Sequence, residues 1–94
     1  MASTIDEITI EYEEDGILLV KELDKEILTK GAWSTIIFKY QNWNKKTEDY
    51  TDELFSIRRY RKIRGEYMQQ SKFNISNKKQ AQKIIETLEK WIKD

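Results

Sequence analysis

Between positions 58 and 72 the chain holds Arg58, Arg59, Arg61, Lys62, Arg64 and Lys72 against one acid, Glu66, a local charge of +5. Tyr60 stands among the cations. Such a mixture suits a polyanion: Lys and Arg neutralise phosphates, and exposed rings stack on bases for about 1–3 kcal/mol each. If FSIRRYRKIR is a strand, alternation sends Arg58, Tyr60, Lys62 and Arg64 one way and Phe55, Ile57, Arg59, Arg61 and Ile63 the other. Lys39 and Trp43, on one face of the preceding extended run, are candidates to enlarge the first surface, together with Lys72. Basic strands also occur as plain exposed hairpins, where charge keeps an edge from aggregating. The charge pattern fits both readings equally.

Other chemistries find little support. Cysteine and histidine are absent, which removes disulfides, thiol nucleophiles, cysteine–histidine zinc sites and imidazole bases. No glycine-rich phosphate loop is present. Carboxylates crowd residues 6–26, but Asp6, Glu7, Glu11, Glu13, Glu14 and Asp15 do not follow the spacing of a calcium loop. We therefore expect no enzyme, no cofactor and no metal site. No apolar run approaches the roughly 20 residues of a membrane span. The acidic start, MASTIDEITIEYEED, lacks the features of a signal peptide. The expectation is a cytoplasmic protein, with association to the nucleoid if the ligand is DNA.

The elements that must position these residues are legible in outline. The 94 residues suit one domain, and 38% hydrophobic residues supply a modest core beneath a surface that is 36% charged overall. There is no proline, and Gly16, Gly31 and Gly65 each sit where two periodic segments meet. ITIEYE alternates, with Ile8, Ile10 and Tyr12 on one side, and reads as a half-buried strand. ILLVKELDKEILTK is ambiguous, since Leu19, Leu23 and Ile27 fit a helix and a strand face alike; the flanking glycines favour strand. WSTIIFKYQNW, LFSIRRYRKIR and EYMQQSKFNIS read as strands. NKKTEDYTDE is a polar loop. At the end, Ala81, Ile84, Ile85, Leu88, Trp91 and Ile92 form one apolar stripe of an amphipathic helix, which Ser76 or Asn77 can cap. Leu88, Trp91 and Ile92 lie where a small sheet reaches poorly. They either close the monomer core or meet a second subunit.

The zero net charge hides an asymmetry. Residues 1–30 carry nine acids and three bases; residues 31–94 carry fourteen bases and eight acids. This division leads us to expect the acidic N-terminal segment to lie over the basic sheet and to lower its affinity for polyanions.

In the order of its elements, the region from about 26 to 92 resembles the single-stranded DNA-binding domain of the transcriptional coactivator family known as positive cofactor four. FSIRRYR carries the best local match, through Ile57, Arg58 and Tyr60. GEY at 65–67 is similar to the family's hairpin turn, and SKFNISNKKQ to its last strand entering the helix. Arg59 stands where the family has an acid, and Arg61 where the human-type protein has an aromatic that stacks on bases. The chain is also similar to small bacterial proteins combining LTKGAW with IRRY. The resemblance implies a four-stranded antiparallel meander, one C-terminal helix, paired subunits and channels for single strands.

The expected fold is thus α+β: a curved four- to five-stranded antiparallel meander followed by one C-terminal amphipathic helix. The single domain divides into an acidic segment at 1–16 with the option of an extra strand, the meander at 17–76 and the helix at 77–93. The expected function is binding of single-stranded DNA or RNA with little sequence preference, by a homodimer. Arg58, Lys62, Lys72 and Lys39 would hold phosphates, Tyr60 and Trp43 would stack, and Arg61 would do either. The alternative is a homodimeric interaction module without a nucleic-acid ligand.

Overall fold

Strands rich in β-branched and aromatic residues build most of the molecule. The computed structural model describes residues 2–93. It has four long strands, β2 (Ile17–Thr29), β3 (Trp33–Asn44), β5 (Leu54–Ile63) and β6 (Glu66–Ile75), in one antiparallel meander. Two short strands extend it: β1 (Tyr12–Glu14) pairs with β2, and β4 (Asp49–Tyr50) with β3. One helix, α1 (Lys78–Ile92), follows. The curled sheet runs β1-β2-β3-β5-β6. Asp15-Gly16 and Arg64-Gly65 close two-residue hairpins with positive φ at both central positions, the geometry that matches strand twist.

β3 sets the sidedness of the sheet. Ser34, Ile36, Phe38 and Tyr40 are buried while their neighbours are half-exposed. Directly paired residues share a face. Register therefore places Val20, Glu22, Lys25 and Ile27 of β2, and Leu54, Ser56, Arg58 and Tyr60 of β5, on this inner face.

The inner face is covered by the N-terminal segment. Residues 8–11 are extended, as their alternation implies, but they cross the sheet rather than join it. Strand pairing begins only at Tyr12. Ile8 (3% exposed) and Ile10 (8%) pack on Ile36, Phe38, Tyr40 and Tyr60 to form the core. Polar side chains from β2 fasten the crossing. Lys25 Nζ donates to the carbonyls of Asp6 and Ile8, and Glu22 accepts from Thr9 Oγ1 at 2.8 Å. At the far side Tyr67 N donates to the Ala2 carbonyl at 2.9 Å. A short 3-10 turn, Ile5–Glu7, links these ends.

Glu7 ties that turn by accepting from Thr4 and Ser3, and these bonds hold its carboxyl below the ordinary range. A depressed value gives stability that is present above the unfolded value and lost as pH falls through the folded one. Protection of the amides of residues 3–8, corrected for the intrinsic exchange rate, should therefore fall only on the acid side of the usual carboxylate range. Protection that already falls near neutrality would contradict this.

α1 starts as its sequence implies. Asn77 Oδ1 accepts from Gln80 N at 2.8 Å, while Gln80 Oε1 accepts from Ser76 N at 2.6 Å, so the reciprocal bond returns one residue earlier than Asn77. The helix touches β6 and then leaves the sheet. Its stripe is uncovered, with Trp91 67% and Ile92 76% exposed. These residues do not close the monomer core. The molecule is correspondingly flat, 50 × 38 × 17 Å, with a radius of gyration of 15.1 Å against about 12 Å for a compact domain of this length. No helix among the described residues is long and apolar enough to cross a membrane.

Candidate nucleic-acid interface

The β5–β6 hairpin carries its cations on both faces of the sheet. On the inner face Arg58 stands directly opposite Lys72, and Lys62 opposite Tyr67. Arg58 donates to Ser56 Oγ and to Gln69 Oε1, each at 3.2 Å. Ser56 in turn donates to Asn74 Oδ1 at 2.6 Å. Lys62 Nζ lies 5.5 Å from the centre of the Tyr67 ring. Like charges placed opposite one another destabilise a sheet, so the Arg58–Lys72 pair is a place where an anion would be welcome.

Tyr60 takes no part in an exposed surface. It is 6% exposed, packed beneath Ile8 and Ile10, and burial raises its hydroxyl above the usual phenol range. A core ring offers no face to a base.

The other candidates fall on the outer face. Register puts Lys39 opposite Phe55, with Trp43 farther along the same side, so neither extends the surface of Arg58 and Lys62. Lys39 reaches Glu53 at 3.8 Å, and Lys78 meets the same carboxylate at 3.9 Å. Trp43 packs edge-on against Tyr50, with ring centres 5.1 Å apart. It lines a cleft with Lys45 and with Glu14, Asp15 and Glu48, where carboxylates outnumber cations and disfavour phosphate.

Arg61 keeps better company. It stands opposite Trp33 at the start of β3, and Arg59 stands opposite Thr35 one row away. Both guanidinium groups lie over the Trp33 ring, 4.6 Å from its centre for Arg59 and 5.5 Å for Arg61. Met68 flanks Arg61 on β6, and Ser71 flanks Arg59. Sequence reasoning missed Trp33 and Arg59. The signal was available in part: Trp33 shares parity with Lys39 and Trp43, and Arg59 with Arg61. The register joining the two sets was not.

No protein-family model, curated protein or solved structure matches the chain.

Among the described residues the charge of the hairpin is left without acidic partners: every salt bridge ends on Glu53, and none involves Arg58, Arg59, Arg61, Lys62, Arg64 or Lys72. Glu7 and Tyr60 have displaced pKa values for structural reasons, one in a turn and one in the core. No group of three or more acids among the described residues is placed to hold a metal ion.

The N-terminal segment does lie over the sheet, with Glu7 beside Tyr60 and Tyr67, but the acids of β1 are far from the hairpin. Glu13 and Glu14 belong to β1, three strand spacings from β5. At about 4.8 Å per spacing that is about 14 Å along the sheet, beyond the roughly 8 Å over which exposed charges act at physiological salt. The segment shapes the site as part of the core more than by masking it.

Proposed function

We propose that this chain binds single-stranded nucleic acid, with little sequence preference, along the β5–β6 hairpin. One observation carries the reading: six cations, five on two adjacent strands and Arg64 in the turn between them, have no carboxylate partner among the described residues, and rings lie beneath three of them. Phosphate contacts give affinity without sequence information, and stacking tolerates every base. The family resemblance of residues 26–92 supports the same reading. It makes the chain a binding protein rather than a catalyst, working in the cytoplasm.

The test is a titration of a labelled oligo(dT) 20-mer and of a duplex of equal length at 50 and 200 mM salt. The single strand should bind more tightly. Removing one phosphate-binding cation, as in Arg58→Ala or Lys62→Ala, should lower the slope of log K against log salt by about 0.7. If the folded parent binds neither probe at 50 mM salt, the reading fails.

A second reading, of a homodimeric interaction module, is favoured by the bare stripe of α1. The outer face offers a surface to match it. Ile37, Ile57 and Phe73 stand side by side across β3, β5 and β6, and Phe73 is exposed. Two uncovered apolar surfaces on one chain are mutually satisfied in a second copy. Dimerisation through Leu88, Trp91 and Ile92 is compatible with nucleic-acid binding and belongs to our proposal in either case.

A further inference from the structure

Two arginines two residues apart on one strand face lie about 6.6 Å from each other along the chain and repel. Arg59 and Arg61 remain in this position over a single indole, whose negative π-face attracts both. A guanidinium over a ring keeps its N–H donors in its own plane. Among the described residues no hydrogen bond or salt bridge consumes the donors of either side chain. Two forks are thus held in place and left empty, and less side-chain freedom remains to be lost when they engage a ligand.

The neighbours fit one class of ligand. Thr35 and Ser71 flank Arg59 in one row and supply hydroxyls. Trp33, 42% exposed, and the exposed Met68 flank Arg61 in the next row and supply apolar surface. Charge and hydroxyl beside apolar surface is the pattern a nucleotide presents in reverse: phosphate, sugar, then base.

We propose that Trp33, Arg59 and Arg61 form the anchor for the single strand, on the outer face. Arg59 and Arg61 take neighbouring phosphates, and the exposed edge of Trp33 meets a base. The proposal rests on the reading above and moves its centre from the inner-face group of Arg58, Lys62 and Lys72.

Three variants test it, each first checked for the parent's circular dichroism. Trp33→Leu keeps every charge. It should weaken binding of the labelled oligo(dT) 20-mer about tenfold at unchanged salt slope. Arg59→Lys with Arg61→Lys keeps the charge but loses the flat stacked fork, and should also weaken binding several-fold. It is the deciding variant if Trp33→Leu fails to fold. An abasic strand of the same length should bind the parent more weakly than oligo(dT), and Trp33→Leu should weaken its binding less than it weakens that of oligo(dT). In a chain whose only indole is Trp33, made by Trp43→Phe and Trp91→Phe, oligo(dT) should quench the fluorescence. The anchor is overturned, with the nucleic-acid reading intact, if parent and Trp33→Leu bind oligo(dT) equally while Arg58→Ala with Lys62→Ala loses it. If the parent binds no oligo(dT) at 50 mM salt, both fall.

Discussion

Removing residues 1–11 should abolish the folded sheet. The segment resembles an appendage in sequence, being acidic, terminal and outside the meander. In the structure it supplies Ile8 and Ile10, two of the seven buried hydrophobic residues. Each buried isoleucine is worth about 2–5 kcal/mol when truncated to alanine. Deletion also uncovers Ile36 and Phe38, which are fully buried, and strands Lys25 and Glu22 without their partners. Small domains have about 5–15 kcal/mol of stability in total, so the loss approaches the whole. Circular dichroism of the truncated chain should show no cooperative melting, and a dye that binds exposed apolar surface should brighten. Ile8→Asp should do much the same through one side chain. A truncated chain that melts within a few degrees of the parent would show the segment to be an appendage after all. For the same reason, any effect of the acidic residues on nucleic-acid affinity has to be sought by neutralising Glu13 and Glu14 to Gln, which leaves the core in place.

Trp91→Glu should turn a dimer into a monomer. The parent should sediment at about twice the mass of one chain at micromolar concentration, because Ile85, Leu88, Trp91 and Ile92 are all exposed on a helix that its own sheet does not cover. Large aromatic side chains dominate such interfaces, and truncating a central one costs about 2 kcal/mol or more. A buried carboxylate in its place adds its own desolvation cost. Trp91 touches none of the core residues, so the variant should keep the parent's circular dichroism at high protein concentration. A parent that sediments as a monomer would remove the dimer from the proposal, and the oligo(dT) titration would then stand alone.

The meander and the helix were legible from composition and period. WSTIIFKYQNW is dense in β-branched and aromatic residues, and the stripe from Ala81 to Ile92 keeps helical spacing over three turns. The run at 17–29 was ambiguous for a physical reason. β2 carries two register shifts, which leave Leu23 and Leu28 without partners. A bulge advances the chain by one residue and reverses the faces beyond it, so Leu19 and Ile27 end on opposite sides although their spacing is even. The candidate site suffered from the same limit across a longer distance. Parity within β3 and within β5 is legible in the sequence, but nine residues separate the strands, and nothing in their sequence fixes which face of one continues into which face of the other. Lys39 and Trp43 were therefore joined to Arg58 when they belong with Arg59 and Arg61. Tyr60 was placed in the light because the sequence does not disclose that a segment fifty residues upstream comes back to lie over it.

One irregularity in the last strand bears on how the protein keeps its own company. β6 is the last strand of the sheet and its edge is open beyond Tyr67, whose N–H is taken by Ala2; Met68 and Phe73 are exposed along it. Such an edge invites a neighbour to add a strand, and stacking of that kind grows into fibres. Opposite Arg59 and Tyr60 the register slips, leaving Gln70 as an extra residue. Its side-chain amide donates to the Met68 carbonyl at 3.1 Å, so the break is held by a bond of its own. The edge is divided into two runs, each too short to template a stable addition, with Lys72 adding charge to the second. The backbone at this margin thus works against edge-to-edge pairing. Deleting Gln70 would give a continuous edge, at which the chain's shelf life in concentrated solution should shorten.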